Sequence, residues 1–148
     1  MAVDVTTEIA IARPRNQVAA FAANPENAPA WYVNIKSAEW KSAPMIAVGA
    51  RVAFVAHFLG RRMAYTYEIV DYTPNEHLVM RTAEGPFPME TTYTWEAIGR
   101  DSTLMKLRNF GEPTGFSRLV APLMSFAMRR ANNQDLARLK ALFEERAA

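Results

Sequence analysis

The 148-residue sequence contains no cysteine, which excludes disulfides, thiolate metal sites and cysteine nucleophiles. It has only two histidines, His57 and His77, and no group of His, Asp and Glu with metal-ligand spacing such as H-E-x-x-H. The six glycines form neither G-x-G-x-x-G nor a P-loop, and none of the five serines lies in G-x-S-x-G. We therefore expect no metal, no nucleotide and no other cofactor.

Long hydrophobic runs are also missing. No segment approaches the ~18 apolar residues that a membrane helix needs, and Asp4 and Glu8 interrupt the N-terminus too early for a signal peptide. Half of the residues are nevertheless apolar, which excludes the disordered class. We expect one domain over residues 1–148, in a cytoplasmic protein that is not integral to a membrane.

Charge of one sign is not in large excess. The net charge is +2, from 17 basic and 15 acidic residues. Residues 1–107 carry 10 basic and 11 acidic side chains (−1), whereas residues 108–148 carry 7 and 4 (+3). This basic C-terminal excess is too small to predict nucleic-acid binding, so we expect no nucleic-acid partner.

Period-two alternation of side chains predicts seven strands. The first strand runs over Val5–Ala12, and residues 50–72 predict a strong hairpin around a Gly60-Arg61 turn. In this hairpin we expect Leu59 to pair with Arg62, which places His57 on the more solvated face. Consecutive strands joined by short turns favour an antiparallel α+β sheet.

Helical patterns lie at both ends of this strand-rich region. Pro14 suits a helix start, and the prolines at 25 and 29 permit only a second short helix or a turn that ends at Trp31. One long helix is predicted from near Phe116 to Arg146, with a bend permitted at Asn132-Asn133. It is the only predicted element long enough to cover the concave face of a curved seven-stranded sheet.

Three stretches carry a resemblance to a known family: "EIAIARPRNQVAAFAANPENAPAWYVNIKSAEW" (8–40), "FLGRRMAYTYEIVDYTPNEHLVMRTAEGPFPMETTYTWE" (58–96) and "LVAPLMSFAMRRANNQDLARLKALFEE" (119–145). The chain resembles the START/polyketide-cyclase (SRPBCC) superfamily. The resemblance implies the helix-grip fold, in which a seven-stranded curved antiparallel sheet wraps around a long C-terminal helix, with two short helices after strand 1. It also implies an elongated apolar cavity between sheet and helix. Members include lipid and hormone binders, aromatic polyketide cyclases, ring-hydroxylating oxygenase subunits and co-chaperone-like modules, so the resemblance leaves the ligand open.

Tyrosines on inward strand faces indicate a pocket. A buried phenol must find a partner or a wet cavity, and a core of Leu and Val needs no such groups. Several methionines add an adaptable lining, so we expect an apolar pocket with a few polar points. The candidate ligand-binding residues are Phe54, Phe58, Tyr65, Tyr67, Met80, Phe87, Thr91, Tyr93, Trp95, Asn109, Leu123, Phe126 and Arg130.

Some of these candidates have a second interpretation. Trp95 and Tyr93 also suit ordinary core positions, and Phe87, between two prolines, belongs to a loop that we expect near the cavity mouth. Arg130 shares a helix stripe with Leu123 and Phe126, but it also suits the solvated side of the helix. No catalytic residue is assigned.

The expected partner is a small hydrophobic or amphipathic ligand of the lipid, isoprenoid or aromatic polyketide type. The alternative is a polyketide cyclase/dehydratase-type enzyme that uses the same cavity without metal or nucleotide cofactor. A second alternative is a protein-interaction module that uses the basic helix. An acid or base inside the cavity would favour the enzyme, and the sequence offers no clear inward histidine or carboxylate. Monomer and homodimer both remain open.

Overall fold

The computed structural model describes residues 3–58, 60–85, 88–111 and 121–145, without the side chains of Phe58, Ala121 and Glu145. It confirms the predicted α+β helix-grip architecture: a seven-stranded sheet, short helices after strand 1 and a long C-terminal helix. A single 3-10 turn, Pro25–Asn27, joins the two short helices. The other elements are β1 (Val3–Ile11), α1 (Arg15–Ala23), α2 (Ala28–Trp31), β2 (Ile35–Trp40), β3 (Arg51–Phe58), β4 (Arg61–Thr73), β5 (His77–Glu84), β6 (Met89–Gly99), β7 (Ser102–Gly111) and α3 (Ala121–Glu145).

The sheet is an antiparallel meander with the order β1-β7-β6-β5-β4-β3-β2. Strand β1 closes the meander by pairing with β7, so that Val3 lies opposite Gly111. Register shifts interrupt the pairing of β2 with β3, of β4 with β5 and of β6 with β7. Such irregularities bend and twist strands, which favours the curvature that gives the sheet a concave face.

The β3–β4 hairpin corrects one prediction. Arg62 pairs with His57, and Phe58 pairs with Arg61, so the predicted pairing of Leu59 with Arg62 and the Gly60-Arg61 turn are wrong. The pairing differs by two positions, which leaves every side chain on its predicted face. His57 is accordingly exposed. Gly60 has a φ of 74°, a left-handed conformation that glycine adopts without strain.

The main hydrophobic core lies between the sheet, the short helices and the C-terminal half of α3. Trp31 is fully buried there with Leu78 and Leu107 of the sheet and with Leu136 and Leu139 of α3. A second cluster joins Val3 and Val5 to Met63, Met89 and Met124. The two halves of α3 therefore pack against different clusters of side chains.

Helix α3 also runs along the edge strand β1. The side chains of Arg129 and Lys140 donate hydrogen bonds to the carbonyl oxygens of Thr6 and Ala10, at 3.0 and 2.9 Å. These bonds satisfy backbone groups that β1 does not pair with β7. The helix is continuous through residues 132 and 133. In the described ranges, no helix combines the length and apolar character needed to cross a membrane.

Candidate functional site

A cavity of about 130 Å³ lies between the concave face of the sheet and α3. Strands β3 to β7 supply most of its wall, and α3 closes the other side. Its lining consists of Tyr32, Asn34, Ile35, Phe54, Ala56, Met63, Tyr65, Tyr67, Met80, Met89, Thr91, Tyr93, Asn109, Met124, Met128, Ala131, Asn132 and Asp135. The cavity is thus mainly apolar, with polar groups on the sheet side and on α3.

Seven of the predicted ligand-binding residues lie together in this wall. All seven come from strands, where alternate side chains share one face of the sheet. They are Phe54, Tyr65, Tyr67, Met80, Thr91, Tyr93 and Asn109.

The three predicted residues of α3 are placed differently. Leu123 and Phe126 are 58% and 65% exposed, and Arg130 is exposed as well, so none of them lines the cavity. The prediction placed Arg130 on an inward stripe of the helix with Leu123 and Phe126. The helix instead presents Met124 and Met128 to the sheet. The same inward-facing stripe continues along the helix through the polar residues Asn132 and Asp135.

Three further candidates need separate statements. Trp95 is 3% exposed and packs in the main core next to the ring of Tyr93, and it does not line the cavity. Ordinary core packing is therefore the interpretation that suits Trp95. The side chain of Phe58 and the whole of Phe87 lie outside the described residues.

Asp135 places a carboxyl group in the cavity wall. Asp135 is only 2% exposed, and its Oδ1 accepts a hydrogen bond from the Val33 amide at 2.8 Å. Burial raises the pKa of Asp135 from 3.8 to about 7, against the opposing effects of the Val33 amide and the Arg138 cation. The group can therefore exist as acid or as carboxylate near neutral pH.

Two tyrosine hydroxyls meet in the cavity wall close to Asp135. The hydroxyl oxygens of Tyr32 and Tyr93 are 2.5 Å apart, and both residues line the cavity. Burial raises the pKa of Tyr32 and of Tyr93 well above the usual value for a phenol. Because one proton lies between the two oxygens, the pair has one further hydroxyl proton to donate.

A second polar group of contacts lies on the sheet side. The hydroxyl of Thr91 donates to the side-chain oxygen of Asn109 at 2.7 Å. Burial raises the pKa of Tyr67 to about 12, and its hydrogen bond with Thr91 acts in the opposite direction. These contacts place three neutral polar side chains, Tyr67, Thr91 and Asn109, next to one another in the wall.

Asn132 differs from these groups. It is 4% exposed and lines the cavity, and its amide nitrogen Nδ2 has no hydrogen-bond partner among the described residues. Three buried indole nitrogens, those of Trp31, Trp40 and Trp95, also lack a partner in this part of the chain. None of these tryptophans lines the cavity.

Four polar cavity residues were not predicted: Tyr32, Asn34, Asn132 and Asp135. The expectation that the sequence holds no inward carboxylate is therefore wrong. Asn132 and Asp135 follow Met128 at helical spacing and precede the core residue Leu136, so their place in the stripe was a detectable signal. No local pattern indicates the contact of Tyr32 with Tyr93, since the pairing depends on how α2 packs against the sheet.

The described residues contain no cluster of three or more His, Cys, Asp or Glu side chains that could hold a metal ion. Asp135 and the tyrosine pair can exchange protons, and the asparagines of this wall can form hydrogen bonds.

A family model described as polyketide cyclase / dehydrase and lipid transport matches residues 2–144. The chain belongs to this family. The match spans nearly the whole sequence and agrees with the START/polyketide-cyclase resemblance. No curated protein sequence matches the chain significantly.

Solved structures share the fold at low sequence identity. The Zhui aromatase/cyclase from a Streptomyces species has a TM-score of 0.83 and 15% identity, covering 100% of this chain and 97% of its own. A protein from Thermus thermophilus has a TM-score of 0.80 and 18% identity, covering 98% and 99%. A START superfamily protein from Mycobacterium smegmatis has a TM-score of 0.79 and 13% identity, covering 96% and 97%. With the family match, these likenesses support a helix-grip fold of the hydrophobic-ligand-binding kind.

Proposed function

We propose that this protein binds a small, mainly apolar molecule that carries a polar group, with the polar group directed at the end of the cavity formed by Tyr32, Tyr93 and α3. The observation that supports this proposal is the cavity itself, with methionine and aromatic walls and a few polar groups. The ligand belongs to the hydrophobic or amphipathic class expected from the sequence.

The volume of the cavity narrows the size of the ligand. An apolar protein cavity of ~150 Å³ accommodates benzene, and the cavity here measures about 130 Å³. A molecule of about one ring is therefore at the upper limit of what the cavity holds without rearrangement. Larger isoprenoids, lipids or polyketides require side chains to move, and the five methionines of the wall are the flexible side chains that can do so.

Blocking the cavity tests this proposal. Ala131 lines the cavity from α3, so Ala131→Phe should fill it, whereas Ala137→Phe adds the same ring at an exposed position of the same helix. Ligand-observed NMR with acetophenone and related single-ring compounds should detect binding to the wild type and to Ala137→Phe but not to Ala131→Phe. Circular dichroism checks that both variants fold, since overpacking costs roughly 1–3 kcal/mol. Unchanged binding by a folded Ala131→Phe variant would place the ligand elsewhere.

Asp135 favours a second candidate function, acid–base catalysis of the cyclase/dehydratase type. A carboxyl group whose pKa is raised to about 7 by burial is suited to take up and return a proton near neutral pH. As carboxylate it would remove a proton from the carbon next to a ligand carbonyl, and the free hydroxyl proton of the tyrosine pair would stabilise the enolate oxygen.

Exchange of the methyl protons of acetophenone for deuterium in D2O tests this chemistry, because exchange requires enolisation. The wild type should accelerate exchange, and the rate should rise with pH through about 7 as Asp135 ionises. Asp135→Asn should remove the acceleration. Equal rates for the two proteins would reject Asp135 as the base and leave the binding proposal intact.

The protein-interaction module has less support. An exposed apolar stripe on the helix, or a sheet without a void behind it, would favour such a module. Leu123 and Phe126 are exposed, but a cavity lies behind the sheet.

A further inference from the structure

The carboxyl group of Asp135 is only partly used by the protein. Its Oδ1 accepts from the Val33 amide, whereas its Oδ2 has no hydrogen-bond partner among the described residues. Four side-chain atoms in this part of the chain are fully enclosed without a partner, and Oδ2 of Asp135 is not among them. Because Asp135 lines the cavity, this oxygen is open to a molecule that occupies it.

Positive charge is missing from the same wall. The described residues that line the cavity include no lysine, arginine or histidine. Arg138 lowers the pKa of Asp135, but its side chain is exposed and donates to the carbonyl oxygen of Ala30 at 3.0 Å. A buried carboxylate without a cation beside it is unfavourable, which is why burial raises the pKa of Asp135.

Aromatic rings form much of the remaining wall. The five rings that line the cavity are those of Tyr32, Phe54, Tyr65, Tyr67 and Tyr93. The ring centroid of Tyr67 lies 5.7 Å from that of Phe54 and 5.8 Å from that of Tyr65. Aromatic ring faces attract cations, and aromatic cages are a recurring means of holding ammonium groups. The wall therefore combines one acidic group with side chains of a kind that stabilises positive charge.

The charge of the ligand follows from these two features. The Asp135 carboxyl is already removed from water in the folded protein, so a cationic ligand gains its attraction without a further desolvation cost for this group. A neutral ligand leaves the carboxylate uncompensated, and an anionic ligand adds repulsion. The cavity volume of about 130 Å³ limits the apolar part of the ligand to about one ring.

We infer that the cavity selects a small amine in its cationic form, with the ammonium group donating to Oδ2 of Asp135 and the apolar part against the aromatic and methionine wall. This inference rests on the proposed ligand-binding function and deepens it, because it names the ligand class. Asp135 is a binding residue in this scheme, and no covalent step is involved.

Three single-ring compounds of similar size test the inference. Benzylamine carries a positive charge, benzyl alcohol is neutral and benzoate is negative. Their dissociation constants are measured by ligand-observed NMR at pH 8 on the wild type, on Asp135→Asn and on Asp101→Asn, a matched control in an exposed turn. Circular dichroism checks that both variants fold.

The wild type should bind benzylamine about tenfold more tightly than benzyl alcohol, as expected for one charge-assisted hydrogen bond. This preference should disappear in Asp135→Asn and persist in Asp101→Asn. Equal affinity of the wild type for the two compounds would overturn the inference while supporting the hydrophobic cavity. Binding of none of the three compounds would reject the proposed function and the inference with it.

The pH dependence of binding to the wild type is a second measurement that needs no variant. Benzylamine affinity should rise about tenfold between pH 5.5 and pH 8 as Asp135 ionises, because burial raises its pKa to about 7. The other groups that act on Asp135 keep their charge in this range. Arg138 stays protonated, and burial raises the pKa of the Tyr32 and Tyr93 hydroxyls above that of an ordinary phenol.

Benzyl alcohol should bind with the same affinity throughout this pH range, since it has no charge for the carboxylate to attract. A benzylamine affinity that does not change with pH would overturn the inference, because the carboxylate would then not contact the ammonium group. Two further results would also overturn it. One is a benzylamine preference that survives in Asp135→Asn, and the other is tighter binding of benzoate than of benzylamine by the wild type.

Discussion

Replacing Asp135 by asparagine should change how the stability of this protein depends on pH. Asparagine has nearly the same shape and keeps an oxygen that can accept from the Val33 amide, but it cannot ionise. The substitution therefore removes one titration and leaves the packing of α3 close to that of the wild type.

The magnitude follows from the pKa of Asp135, which burial raises from 3.8 to about 7. The native state binds this proton more tightly than the unfolded state, so proton binding stabilises the native state. This stabilisation is fully present below the unfolded pKa and is lost as pH rises through about 7. The whole difference between these two pKa values corresponds to about 4 kcal/mol of unfolding free energy. Between about pH 5.5 and pH 8, the wild type should lose about 2 kcal/mol of unfolding free energy from this group.

Urea denaturation across this pH range measures the effect. As pH rises, the wild type should lose about 2 kcal/mol of unfolding free energy that the Asp135→Asn variant does not lose. Tyr32 and Tyr93 do not contribute, because burial raises the pKa of both hydroxyls above the usual value for a phenol. Asp101→Asn, in the exposed turn between β6 and β7, is the control for replacing an aspartate by asparagine at the surface.

Parallel profiles for Asp135→Asn and wild type would refute this reasoning. Such a result would mean that the Asp135 carboxyl has the same proton affinity in the folded and unfolded states. It would also remove the physical basis for acid–base chemistry near neutral pH at this residue.

Three further changes follow from the same contacts. Tyr32→Phe and Tyr93→Phe should each lower the free energy of unfolding by about 1–3 kcal/mol in urea denaturation, and the double variant should lose less than the sum because neither hydroxyl is then unpaired. Met124→Ala should cost about 2–5 kcal/mol and should shift NMR-detected binding toward larger ligands, since Met124 is 1% exposed and lines the cavity. Gly111→Ala should lower the melting temperature, because a Cβ at this position would lie 2.7 Å from the backbone oxygen of Pro88.

Each of these changes has a result that would contradict it. Additive losses in the tyrosine double variant would mean that the two hydroxyls do not depend on each other. An unchanged ligand preference in Met124→Ala would separate this side chain from the site. For the glycine, Gly99→Ala is the matched control, because the nearest atom to its added Cβ is 3.7 Å away. Equal melting temperatures for the two glycine variants would contradict the steric argument.

The sheet was predictable because period-two alternation is a local property of each strand. Inward residues such as Tyr67, Thr91 and Tyr93 follow directly from that alternation. Even the incorrect pairing in the β3–β4 hairpin preserved the face of Tyr67, since it differed from the observed pairing by an even number of residues.

The side of α3 that faces the cavity was not predictable by hydrophobicity alone. The prediction assumed that inward helix residues are apolar, and it therefore favoured Leu123 and Phe126 over Asn132 and Asp135. The cavity reverses this rule in the middle of the helix, because a polar side chain there can contact a ligand or its neighbours. The meeting of Tyr32 with Tyr93 depends on contacts 61 residues apart in sequence, which no local pattern contains.

The hydrogen bonds from α3 to β1 also bear on how copies of this protein avoid aggregation. An unpaired strand edge is a template on which another chain can add a strand. A second molecule that approached β1 would have to displace Arg129 and Lys140 from the carbonyl oxygens that they bind. The opposite edge, β2, is only six residues long and carries the exposed charges of Lys36 and Glu39. Each edge of the open sheet is thus protected against strand addition by a different physical means.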